Sequence, residues 1–213
     1  MRESGEGHAL RRSDGAKTHA AILEAAMRIA SIEGLGGLTI GRLADELGVS
    51  KSGVYAHFRS KERLQRETIE AASEVFAREV IEPGLDRPKG LGQLEGLCEA
   101  FLSYVERRVF PGGCFFAQIL AELDAQAGAL RDEVASGQRG WLTLLADRAR
   151  AAAGRGEIDP GVDVDQLAFE LTAALELANY LSTLYRDDAL VERGRRAVRR
   201  ILAAAAIHDG WRG

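Results

Sequence analysis

The chain has 213 residues, 46% hydrophobic and 28% charged. That is a globular composition, which excludes a wholly disordered, fibrous or collagen-like protein. Two Cys and four His exclude a disulfide-rich scaffold and a four-cysteine zinc site and argue against a His-rich metal site, so no metal or cofactor is expected. The formal charge of −4 is unevenly spread: residues 1–63 hold ten Lys and Arg against eight Asp and Glu, or +2, leaving −6 for the rest. An acidic total therefore does not exclude a nucleic-acid partner at the N-terminal end. The polar start lacks an apolar signal region, and no run of 18 uncharged apolar residues occurs. The expectation is a soluble, cytoplasmic protein with no membrane partner.

In chain order, residues 1–15 are rich in Gly, Ser, Glu and Arg and read as a disordered arm, in which Arg11 and Arg12 offer positive charge diluted by Glu3, Glu6 and Asp14. A helix over 17–33 carries Ile22, Ala26, Ile29 and Ala30 on one stripe and ends at Gly34, Gly36 and Gly37. Thr39 caps a short helix over 40–47, Ser50 caps another over 51–57, and Ser60 caps a long one over 61–81. Further helices are read over 91–108, 114–123, from 126 or 130 to 153, 163–185 and 188–207. Pro83, Pro88, Pro111 and Pro160 mark breaks between helices. No stretch alternates with period two, so the fold class is all-α with about nine helices.

The sharpest local signal lies in residues 38–55. Ile40, Leu43, Ala44 and Leu47 make one apolar face, and Gly48 is suited to a left-handed turn. Val49 and Val54 fill the gap between two helices, with small Ala44 allowing a close crossing. This is a helix-turn-helix. Its second helix would display Lys51, Ser52, Gly53, Tyr55 and His57, and the Ser50-capped amides form an end that suits a phosphate. Tyr55 also reads as a core aromatic, His57 as a packed histidine and Lys61 as a solvated first-turn residue.

The block from Lys17 to Leu64 resembles the DNA-binding domain of the tetracycline-repressor (TetR) family. The resemblance is carried by Ile22-Leu23-Glu24-Ala25-Ala26, by Leu38-Thr39-Ile40 with Leu43-Ala44 and Leu47-Gly48-Val49-Ser50, and above all by the run from Ser50 to Leu64. It implies a domain over 16–63 that contacts DNA through Thr39, Ser50, Lys51, Ser52, Gly53, Tyr55, His57 and Lys61, less firmly through Arg59, with Phe58 as a core anchor. Lys51 and Ser52 would read bases; Thr39, Tyr55, His57 and Lys61 would hold the DNA backbone.

The resemblance further implies that residues 64–213 bind an effector and form a homodimer. Phe101, Tyr104, Cys114, Phe115, Gln118, Trp141, Phe169 and Tyr180 are the pocket candidates, each also readable as plain core. Leu167, Leu171, Leu175 and Ala178, with Val198, Ile201 and Leu202, are the candidate dimer stripe. Cys114 reads as a buried inert thiol, Cys98 lies on another helix, and the arginines at 193, 195, 196, 199 and 200 read as a solvated or ion-paired face. No nucleophile constellation, metal spacing or phosphate loop points to an enzyme. The expected function is a ligand-responsive repressor on a palindromic operator in double-stranded DNA, released by a small hydrophobic effector. A dimer that activates transcription, or that answers to no small molecule, is the alternative.

Overall fold

A computed structural model of the chain describes residues 6–124 and 127–207, with side chains from residue 15 onward. Its helices are α1 (Glu6–Gly37), α2 (Ile40–Leu47), α3 (Lys51–Phe58), α4 (Lys61–Phe76), α5 (Glu82–Leu85), α6 (Leu91–Glu106), α7 (Phe115–Leu123), α8 (Ala129–Gly154), α9 (Val164–Tyr185) and α10 (Ala189–Ala205). A π-helical turn, Ala77–Ile81, joins α4 to α5 without a gap. Counting that run as one rod, the described residues form nine helical rods and one isolated bridge, Ile158 with Ala206. The fold is all-α.

The first three helices make a small head. Ile22, Ala26, Ile29 and Ala30 of α1 are buried, as are Leu43 and Ala44 of α2, Val54 and Phe58 of α3 and Leu64 of α4. Each joint follows from local chemistry. Thr39, Ser50 and Ser60 accept from the amides of Arg42, Gly53 and Arg63, closing the first turns of α2, α3 and α4. Gly48 takes φ 64°, which lets α2 turn sharply into α3. Arg59 ends α3 in the same left-handed region at φ 63°.

The body is built around α6, whose Leu94, Leu97, Cys98, Phe101, Leu102, Tyr104 and Val105 are all buried. Burial over most of its surface, with Glu95, Glu99 and Glu106 left exposed, marks a central helix, and it packs against the π turn, α5, α8, α9 and α10. Arg195 on α10 binds Glu99 and Glu106 of α6, at 2.9 and 2.6 Å. Part of the arginine block is thus ion-paired: the bond to Arg195 holds the Glu106 carboxyl below its usual range, and Arg199 meets Glu192 at 2.9 Å.

Three expectations need correction. The arm is not wholly irregular: α1 is helical from Glu6, because Ala9-Leu10-Arg11-Arg12 are good helix formers; residues 1–5 and the Arg11 and Arg12 side chains lie outside the described residues. Pro83 does not separate helices. It sits in the first turn of α5, directly after the π turn, whose wider i→i+5 pattern changes the bonding of the turn before a residue that has no N–H to give. Val49 is half-exposed, so Val54 alone fills the gap between α2 and α3.

Head and body touch at more than the α4 rod, since α1 also lies along α7. The turn Pro111-Gly112-Gly113 presses on α1, and a Cβ at Gly112 would fall 1.7 Å from the carbonyl oxygen of Ser31. Only glycine permits that backbone approach.

Candidate functional site

At the tip of the head, Lys51, Ser52, Gly53 and Tyr55 of α3 are exposed, as are Thr39, Ser50 and Lys61; His57 is half-buried. Tyr55 is therefore not a core aromatic. Val54 and Phe58 alone anchor α3 inward, which turns the opposite face to solvent. The Lys51 ammonium and the Thr39 hydroxyl lie 3.6 and 3.9 Å from where a Cβ on Gly41 would stand, so a cation and a hydroxyl converge at the start of α2. Lys61 donates to the Gly36 carbonyl at 3.2 Å.

Not every cation of the head is available. Arg42 is held by Glu33 at 3.0 Å and Glu46 at 2.9 Å, and Arg28 also binds Glu46. The bond from Arg42 keeps the Glu46 carboxyl below its usual range. His57 rests against His19, whose ring stacks on Phe58 at 4.8 Å and whose Nε2 meets Glu67 at 2.9 Å. His57 is thus seated on the joint between α1, α3 and α4 with part of its ring in solvent.

Inside the body is a cavity of about 320 Å³, bounded by α4, the π turn, α6, α7, α8 and α9. Of the predicted pocket residues, Phe101, Cys114 and Trp141 line it. Phe76, Phe116 and Leu120 line it too. Phe76 stands within 5.6–6.3 Å of Phe101, Phe116 and Trp141.

The remaining pocket candidates lie elsewhere. Phe115 is fully buried behind the wall because α7 points Phe116, its neighbour, into the space. Tyr104 is also buried behind it; its hydroxyl accepts from the Phe115 amide at 3.4 Å, and burial drives its pKa far up. Gln118 faces solvent, and Phe169 and Tyr180 are more than 60% exposed on α9.

Sequence reasoning missed Glu176. This α9 carboxyl lines the cavity, and burial raises its pKa to about 7 against the lowering effect of a hydrogen bond with Asn179. Asn179 also accepts from the Cys114 amide at 2.8 Å, so one side chain ties α9 to the start of α7. The signal was present as a lone acid among Leu171, Leu175 and Ala178, but acids on helices are common and nothing local set it apart. Burial pushes the Cys98 and Cys114 thiols up to about 12, so neither is a thiolate near neutrality.

The predicted dimer stripe is corrected as well. Leu167, Leu171, Leu175, Ala178, Val198 and Leu202 are buried and Ile201 half-buried, packed between α9, α10 and the rest of the body. Groups already covered by their own chain have no surface to offer a partner. The opposite face of α9 exposes Phe169, Ala173, Leu177, Tyr180 and Leu184, a stripe at helical spacing. α9 is apolar on two faces, and periodicity alone does not say which one the body takes.

A carboxylate links cavity and head. Glu122, on the same helix as Phe116 and Leu120, accepts from the amides of Leu35 and Gly36 at 2.6 and 2.7 Å. Gln65 of α4 donates to the Leu35 carbonyl at 2.8 Å. The end of α1 is thus gripped by α4 and α7, both of which form cavity walls.

Among the described residues no group of acids, His and Cys fits a metal ion, and no helix is long and apolar enough to cross a membrane. A comparison with curated proteins finds no match. Solved structures give the fold. A TetR transcriptional regulator from Chloroflexus aurantiacus is 24% identical, with TM-score 0.84, over 91% of this chain and 98% of that one. A transcriptional regulator from Saccharomonospora viridis, solved with choline, is 21% identical, with TM-score 0.73, over 91% and 99%. AibR, solved with isovaleryl coenzyme A and operator DNA, is 23% identical, with TM-score 0.64, over 76% and 85%.

The model for the tetR family of bacterial regulatory proteins matches residues 22–68, which span α2, α3 and their exposed tip. The model for the tetracyclin repressor-like C-terminal domain matches residues 90–198, more than half of the chain and most of the cavity wall. Regulators of this family are DNA-binding proteins rather than enzymes; they generally bind DNA as dimers and respond to small ligands. The chain belongs to the TetR family of transcriptional regulators.

Proposed function

We propose that the protein is a ligand-responsive repressor that binds a palindromic operator as a homodimer and leaves it when a small effector with an apolar body enters the cavity. The observation that carries this reading is the shared wall: α4 and α7 line the cavity and also hold the end of α1. A ligand that spreads α4 from α7 changes the setting of the head without touching it. It must favour one setting over the other, because equal affinity for both moves nothing.

On DNA, α3 lies in the major groove. Lys51 and Ser52 read base edges, Gly53 lets the backbone come close, and Thr39, Ser50, Tyr55, His57 and Lys61 hold phosphates, with the gathering of Lys51 and Thr39 near Gly41 as support. The exposed stripe of α9 pairs with its copy across a two-fold axis, so the two heads meet two half-sites. That two relatives were solved with choline and with isovaleryl coenzyme A supports a small organic effector.

The test is selection of bound sequences from random duplex DNA, followed by release assays on the selected site with a compound library. A palindromic motif and release by at least one compound are expected. Selection of no motif sinks the reading; Trp141→Ala should weaken release more than it weakens DNA binding, and equal loss of both would make Trp141 plain core.

A further inference from the structure

The cavity is mostly greasy and holds one acid. Glu176 lines it from α9 together with Phe101, Phe116, Trp141 and Cys114, and no Lys, Arg or His stands in the lining. The other polar side chains there, Ser73 and Gln138, are neutral, and the hydrogen-bond partner of Glu176 is the neutral amide of Asn179. A carboxylate so placed has lost much of its water and gained no counter-charge.

The aromatic walls have a matching character. Phe76 stands at 70°, 85° and 80° to Phe101, Phe116 and Trp141, so the rings that line the space are set in more than one plane. Ring faces attract cations, most strongly where water is excluded. Carboxylate and rings therefore ask for the same ligand. A neutral apolar molecule would fill the space but leave the acid uncompensated, and an anion would be repelled. A volume near 320 Å³ suits a small compound.

Resting on the reading of this cavity as the effector site, we propose that its ligand is a small organic cation with an apolar or aromatic body, its positive centre held by Glu176 and the surrounding rings. The binding is pH-dependent. Of the groups facing Glu176, Cys114 titrates near 12 and Tyr104 higher still, so Glu176 is the group among the described lining residues that changes charge near neutrality. A bound cation favours the carboxylate, so affinity rises as pH increases through about 7 and levels off above it.

The test is calorimetric titration of the full chain with phenyltrimethylammonium and with tert-butylbenzene, its uncharged carbon counterpart. The cation is expected to bind about tenfold or more tightly than the hydrocarbon, and more tightly at about pH 8 than at about pH 6. Glu176→Gln should abolish the pH dependence and cut the advantage of the cation over tert-butylbenzene, which should still bind and so shows that the variant folds. Equal or tighter binding of the hydrocarbon by the unaltered protein overturns the cation proposal and leaves the effector cavity standing. A cation preference and pH dependence undiminished in Glu176→Gln overturn the role of Glu176. Binding of neither compound overturns the cavity reading together with the proposal.

Discussion

The head and the body solve opposite problems with the same element. In the head, the short helices α2 and α3 are each fastened by a capping hydroxyl, and α3 has two inward anchors with most of its other side chains turned to solvent. The body has long helices that are apolar on more than one side, joined by tight Gly and Pro turns, and it encloses one acid among aromatic rings. On the proposed function, the head works through what is left uncovered and the body through what the packing leaves unfilled. Substitutions should therefore separate: changes on α3 alter DNA affinity without touching ligand binding, and changes in the cavity do the reverse.

The largest expected effect breaks the symmetry that lets two heads act together. Leu177→Glu with Tyr180→Glu places charge on the exposed α9 stripe, where both side chains are more than half exposed. Sedimentation should show a monomer, and operator affinity should fall by roughly 10²–10⁴-fold as the second head ceases to be tethered. An unchanged dimer would move the interface to another face.

The next concerns stability. In the folded chain Glu176 titrates near 7, above its unfolded value, so the folded state binds the extra proton between those two values. Its stabilising contribution is complete below the unfolded pKa and is lost as pH rises through about 7. Without ligand, Glu176→Gln should be more stable than the unaltered protein at alkaline pH, by on the order of 2–3 kcal/mol, with the gap closing toward about pH 4.5. Urea midpoints across pH measure this, and parallel curves would mean that the acid is better solvated than its surroundings indicate.

A smaller effect belongs to the head. Lys51→Ala should lower operator affinity by about 1–3 kcal/mol and relax preference at the bases it reads, whereas Tyr55→Phe should weaken all sequences alike by about 1 kcal/mol. The motif from a random-sequence selection distinguishes the two. The smallest effect joins the regions. Glu122→Gln should leave operator affinity and ligand affinity within a few-fold of their starting values yet reduce ligand-driven release, because a neutral amide grips the Leu35 and Gly36 amides less strongly than a carboxylate does. Full release in that variant would assign the coupling to α4 and Gln65 instead.

Legibility followed the same division. Thr39, Gly48, Ser50 and Ser60 act on their own neighbours in the chain, so their caps and turns could be read before any packing was known. Partners set the rest. Phe115 and Phe116 are alike as text, and the orientation of α7 alone made one of them wall and the other core. Leu167 and Phe169 likewise exchange their expected places because the body claims one face of α9 and leaves the other bare. Glu122 finds its partners 87 and 86 residues away, a distance over which local pattern carries no information.

What the amino-acid order determined by itself was the all-helical class, the helix-turn-helix and the polar tip of α3, since these depend on backbone preference and on hydroxyls within three residues of the amides they cap. What the tertiary structure decided was which apolar faces are core, where a space remains among the rings, and that Glu176 stands in it. Burial is a property of neighbours, and neighbours far apart in the chain exist only once it has folded.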